Sequence, residues 1–186
     1  MFSRSSKRIA AELYAGVVAA ARMPEFYAAL QVPDTVEGRY EMIVLHVVLL
    51  LRRLRRLRQP DAGQKRLSQA VVDIMAADLD RSIRELGVGD MSVGKFMKRL
   101  GEGLYGRAAA YDKALDDRDV PALEMAVLRN IFDSYEPDDG ILAAIADYIQ
   151  KQQDHLAAQP VAQIAAGTVD FQSPADLKIG PEISRS

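Results

Sequence analysis

A chain of 186 residues with 49% hydrophobic content is long enough for a domain with a real core and too apolar for wholesale disorder. It carries no cysteine, which excludes disulfides and thiolate metal sites and fits a reducing compartment. The formal net charge of −2 argues against a nucleic-acid coat protein and against DNA as a partner, but it hides an asymmetry: residues 1–107 hold 18 basic and 12 acidic side chains, residues 108–186 hold 6 and 14.

No hairpin dipeptide sits between alternating apolar runs, and helical spacing recurs along the chain, so the sequence reads as all-α. The first helix is predicted over 5–22, behind the basic segment MFSRSSKR, and reads as a helix rather than a signal peptide because Glu12 and Tyr14 interrupt its apolar stretch. A short helix over 24–30 opens on Pro24, whose fixed φ suits a first turn. Asp34, with Glu37 three residues on, marks the start of a long helix running to about residue 58. Its apolar positions Ile43, Val47, Leu50, Leu54 and Leu57 form one row and Val44, Val48 and Leu51 a second, so this helix is expected at the centre, packed on more than one side. Its run MIVLHVVLLL covers only about 15 Å as helix, half a bilayer core.

After the break at QPDAG a helix is predicted over 64–86, with the stripe Leu67, Val71, Ile74, Met75, Leu79, Ile83 and Leu86; Gly87 and Gly89 end it. Ser92 is expected to cap a helix over 93–117 with Val93, Met97, Leu100, Leu104, Ala108, Tyr111 and Leu115 on its apolar face. Two further helices follow over 121–132 and 138–157. Periodicity then fades, and residues 158–186 read as an extended or disordered tail on a helical domain of residues 1–157. The expected architecture is a single compact domain of about six to seven helices.

Several segments imitate chemical motifs. GEGLYG at 101–106 has the letters of a dinucleotide fingerprint, but it lies inside an amphipathic helix with no strand before it. Its glycines, costly within a helix, point instead to close approach by a neighbouring helix or a bound segment. Ser92-Val-Gly-Lys95 copies the serine acyl-enzyme spacing without its partner motifs, and a cap explains the serine. His46 lies in the most apolar helix and reads as a core histidine; with only His155 besides, no metal site is expected. RRLRRLR at 52–58 offers Arg52, Arg53, Arg55 and Arg56 either as a solvated helix end or as a contact with anionic lipid, an acidic partner or RNA. With no triad, carboxylate pair or phosphate loop, the residues describe a non-enzymatic interaction protein without a cofactor.

Three blocks carry a more specific likeness. RMPEFYAALQVPDTVEGRYEMIVLHVVLLLRRL, ADLDRSIRELGVGDMSVGKFMKRLGEGLYGRAAAY and AVLRN at 126–130, in that order, resemble the ubiquinol–cytochrome c chaperone family. The resemblance implies an assembly factor that binds newly made cytochrome b and promotes biogenesis of the cytochrome bc1 complex. It implies a small partner protein and an association with the ribosome or the membrane surface. The short chain without an evident presequence fits a bacterial member, cytoplasmic and peripheral at the inner face of the inner membrane. A chaperone for a membrane client is expected to offer an apolar, glycine-lined helical surface. That surface is placed on Met91, Lys95, Met97, Lys98, Gly101, Leu104, Tyr105, Arg107 and Tyr111. The alternative for Tyr105, Arg107 and Asp90 is structural, as locks at helix junctions. The alternative function is a peripheral membrane or RNA-binding adaptor that uses the arginine run.

Overall fold

The apolar run at 42–51 is the axis of the fold. It lies in helix α3, Val36–Arg55, where 15 of 20 residues are buried. The computed structural model describes residues 4–56, 62–85, 90–133 and 135–176, with side chains excepted at 4–5, 62, 90–102 and 176. Around α3 pack α1, Arg4–Ala21; α4, Ala62–Glu85; α5, Asp90–Asp117; and α7, Ile141–Ala158. Short elements complete the chain: α2, Glu25–Ala28; α6, Val120–Val127, which continues into a π-helical turn, Leu128–Phe132; α8, Val161–Ala165; and a 3₁₀ turn, Pro174–Asp176. The described residues contain no strand, as the all-α reading expects.

A helix apolar on most of its circumference must be covered from several directions, and α3 is. α1 packs on both α3 and α4, burying Leu13, Val17 and Ala20, and bonds to α4 from the Tyr14 hydroxyl to Asp78, 3.0 Å. α4 contributes Val71, Met75 and Leu79. α7 contributes Ile145, Tyr148 and Ile149. At the centre, His46 donates from Nδ1 to the Met42 carbonyl, 2.7 Å, since a carbonyl can only accept. Its Nε2 therefore accepts from the Tyr148 hydroxyl, 2.7 Å. Phe26 and Phe171 stand edge-on to the imidazole. Full burial holds the His46 pKa down to about 4, so the ring is neutral and serves as a satisfied core residue.

Three local expectations are corrected. Thr35, not Asp34, caps α3: its side chain accepts from the Gly38 amide at 3.1 Å, while Asp34 pairs with Arg39 at 2.5 Å. α5 begins at Asp90, so Ser92 stands within the first turn rather than at the cap. The expected tail is structured as far as residue 176. Ile164 and Phe171 are buried, and two glutamines hold the segment as a backbone neighbour would. Gln159 donates to the Asp170 carbonyl and accepts from the Asp170 amide; Gln152 does the same with Gln172. Such side-chain pairing leaves no periodic trace in sequence. The segment also crosses α1 closely: a Cβ at Gly16 would lie 2.8 Å from the Val169 side chain. Residues 177–186 lie outside the described residues.

Candidate functional site

The arginines at the end of α3 are used inside the fold. Arg52 is buried, and every nitrogen of its guanidinium finds an acceptor: Nε on Gln153, 2.7 Å; Nη1 on Asp112, 3.0 Å; Nη2 on Asp116, 2.5 Å. Arg53 donates to the Gln159 carbonyl, 2.9 Å, and Arg55 and Arg56 pair with Asp112 and Asp116. The run is a clamp that ties α3 to α5 and α7. This gives no support to the reading of Arg52, Arg53, Arg55 and Arg56 as a lipid or RNA surface: Arg52 is buried and fully paired, and Arg53, Arg55 and Arg56 each spend a donor on α5 or the end of α7, although Arg55 and Arg56 stay about half exposed.

The proposed client surface divides within α5. Met91, Lys95, Met97, Lys98 and Gly101 lie outside the residues whose side chains are described. Of the others, Leu104 and Tyr111 are core residues, 4% and 1% exposed. Burial raises the Tyr111 hydroxyl above its ordinary range, so it stays protonated. Tyr105 and Arg107 are two residues apart, about 200° around a helix, and face different surroundings.

Arg107 lies in a cleft of about 540 Å³, lined by both charged and apolar side chains, between the first turns of α3 and the π-helical turn. Its Nε donates to Glu41 at 2.6 Å and Nη2 donates to the other carboxylate oxygen. Burial disfavours the guanidinium's charge, but the hydrogen bonds and attraction of Glu41 leave the Arg107 pKa raised. Gly103 makes the arrangement possible, since a Cβ there would meet the Arg107 guanidinium. Gly38 does likewise for the cleft wall, where a Cβ would strike the Pro33 carbonyl. The opposite wall is the π turn, where Arg129 and Asn130, the last residues of AVLRN, stand with Ile131 and Phe132; Asp133 follows at φ 44°. Wide turns of this kind are frequent at functional sites. Gly106, by contrast, meets nothing within 4 Å, so the close approach expected at these glycines is an arginine at one and open space at another.

Tyr105 is 72% exposed at the edge of an apolar groove of about 460 Å³. Leu51 and Leu54 of α3 and Val72 of α4 line it, with Lys65 and Arg55 beside them. No carboxylate belongs to its described lining. Sequence reasoning placed Leu51 and Leu54 in the core, where they are buried, but did not single out Val72 and Lys65 beside them, because their periodicity is that of a helix face. It also missed Glu41, although a glutamate in the most apolar helix signals a buried charge in need of a partner.

Residues 28–171 match the family described as ubiquinol-cytochrome C chaperone. The mouse ubiquinol-cytochrome c reductase complex assembly factor 1 is 27% identical over 158 residues, covering 83% of this chain and 52% of that protein. The human protein of the same name is also 27% identical, over 83% of this chain and 51% of its own length. The chain thus spans about half the length of these relatives. A crystal structure of the Cbp3 homolog from Brucella abortus superposes with a TM-score of 0.82 at 37% identity, over 94% of each chain. With most of its length matched, and the helices that build both the cleft and the groove inside the match, the chain belongs to the ubiquinol–cytochrome c chaperone family.

Proposed function

We propose that the protein is an assembly chaperone that binds newly synthesised cytochrome b and promotes biogenesis of the cytochrome bc1 complex. The observation that carries this reading is the family match over residues 28–171, with mammalian relatives named as assembly factors of that complex. The groove beside Tyr105 supports it physically, because a client rich in apolar helices needs an apolar surface to lie against. The role is binding without turnover. No helix among the described residues is long and apolar enough to cross a membrane. On this reading the protein acts as a peripheral factor at the cytoplasmic face of the inner membrane, where the client is inserted. A small partner protein and contact with the translating ribosome belong to the same reading.

Deleting the gene tests it. Assembled bc1 complex on native gels and the reduced haem b absorbance of membranes should both fall, other respiratory enzymes should persist, and the intact gene should restore the loss. Normal bc1 levels in the deletion strain overturn the reading.

A further inference from the structure

We propose that the groove beside Tyr105 receives an amphipathic helix whose apolar face is flanked by acidic side chains. The proposal rests on the chaperone reading, in which that helix belongs to the client.

The groove lies between α3 and α4 beside Tyr105; Leu51, Leu54 and Val72 supply apolar lining, and Gln64, Ser68 and Gln69 add polar lining along α4. An occupant must bury apolar side chains there without stranding its own backbone groups. An extended β-segment would find no sheet edge to pair with among the described residues, which contain no strand. A helix satisfies its backbone internally and presents apolar anchors at i, i+3 or i+4 and i+7. The volume of about 460 Å³ falls within the usual size of ligand clefts. Tyr105, with an apolar ring and a polar tip in solvent, is the residue type that anchors such contacts.

Charge selects the flank. Lys65 is exposed and has no ion-pair partner among the described residues. Arg55 is about half exposed and pairs with Asp112 through Nη2, which leaves further N–H donors for a second carboxylate. With two cations and no carboxylate in the described lining, an acidic flank is attracted and a basic one repelled. The cleft at Arg107 offers no such bias, because Glu37, Glu41 and Asp133 accompany its arginines.

Fluorescence anisotropy of the full chain with two labelled synthetic helices tests the proposal. Both carry leucines at i, i+3, i+4 and i+7 over about four turns; one is flanked by glutamates, the other by lysines. The glutamate peptide should bind about tenfold tighter at low salt, with the gap closing at high salt. Lys65→Glu should abolish that preference, and Tyr105→Ala should weaken the glutamate peptide about tenfold. Lys151→Glu, on a surface helix away from the groove, should change neither. Equal binding of the two peptides, indifference to Lys65→Glu and Tyr105→Ala, or binding only to phosphatidylglycerol-containing vesicles overturns the proposal. In cells, Lys65→Glu should lower bc1 complex as deletion does. If deletion lowers bc1 and Lys65→Glu does not, the groove assignment fails and the chaperone role stands; if deletion has no effect, the chaperone role itself fails.

Discussion

The cleft at Arg107 and the groove at Tyr105 are built on one helix, yet they hold charge and apolar surface in opposite ways. At Arg107 the charge is internal. The guanidinium and Glu41 are 23% and 10% exposed, and each satisfies the other. At Tyr105 the charges stand beside an exposed tyrosine ring and a partly buried Val72; Arg55 is half exposed with Asp112 as its partner, and Lys65 has no ion-pair partner among the described residues. A paired, buried charge acts on stability; an unpaired one beside apolar surface acts on recognition. The Arg52 clamp belongs with the cleft, although as a string of letters it looked like the more obvious binding surface.

The comparison breaks first where a buried charge loses its partner. Arg107→Ala leaves Glu41 uncompensated, and Arg52→Ala removes the buried guanidinium that joins Asp112, Asp116 and Gln153, although Arg55 and Arg56 still pair with the two aspartates. Each should cost about 3 kcal/mol in urea unfolding. Replacing both members of the first pair, Arg107→Met with Glu41→Leu, should recover most of the loss; a double variant as unstable as the single one would show that the pair is not the source.

Next in size is a pH effect from the core. The pKa of His46 falls from 6.5 in the unfolded chain to about 4 in the fold. Between these values the unfolded state binds a proton that the native state refuses. Stability should therefore fall as pH drops through that window, by about 3 kcal/mol at its acid end. In His46→Gln the slope of stability against pH between 6.5 and 4 should flatten, whatever the absolute stability of the variant. An unchanged slope would assign the pH dependence elsewhere.

Smaller effects separate the two glycines. Gly106→Ala fills open space in a helix and should stabilise by up to about 1 kcal/mol in thermal melts. Gly103→Ala should lose that gain, because the new methyl displaces the Arg107 guanidinium from Glu41. The smallest effect belongs to the groove: Tyr105→Ala should leave stability within about 0.5 kcal/mol while weakening binding. A large loss of stability there would make Tyr105 a structural residue and remove the contrast.

Fold class was legible because α-helices leave a local record. The rows Ile43, Val47, Leu50, Leu54 and Val44, Val48, Leu51 state that α3 is covered on several sides, and the structure covers it so. The packed segment up to residue 176 was not legible, since Gln152 and Gln159 hold it through hydrogen bonds of a kind any polar residue might make or not make. The candidate site was legible only in part. Tyr105 is exposed, whereas Leu104 and Tyr111, from the same stretch, are core residues and Arg107 pairs with Glu41 in a cleft.

What the sequence by itself determined is therefore what depends on neighbours within a few residues: helix positions, the central role of α3, and a family likeness carried by contiguous blocks. Tertiary structure alone decided the fate of the charges. Arg52 meets Asp112, and Arg107 meets Glu41, across separations of 60 and 66 residues. A charge's character is set by the dielectric and the partner around it, and both are supplied by chain that lies far away in sequence.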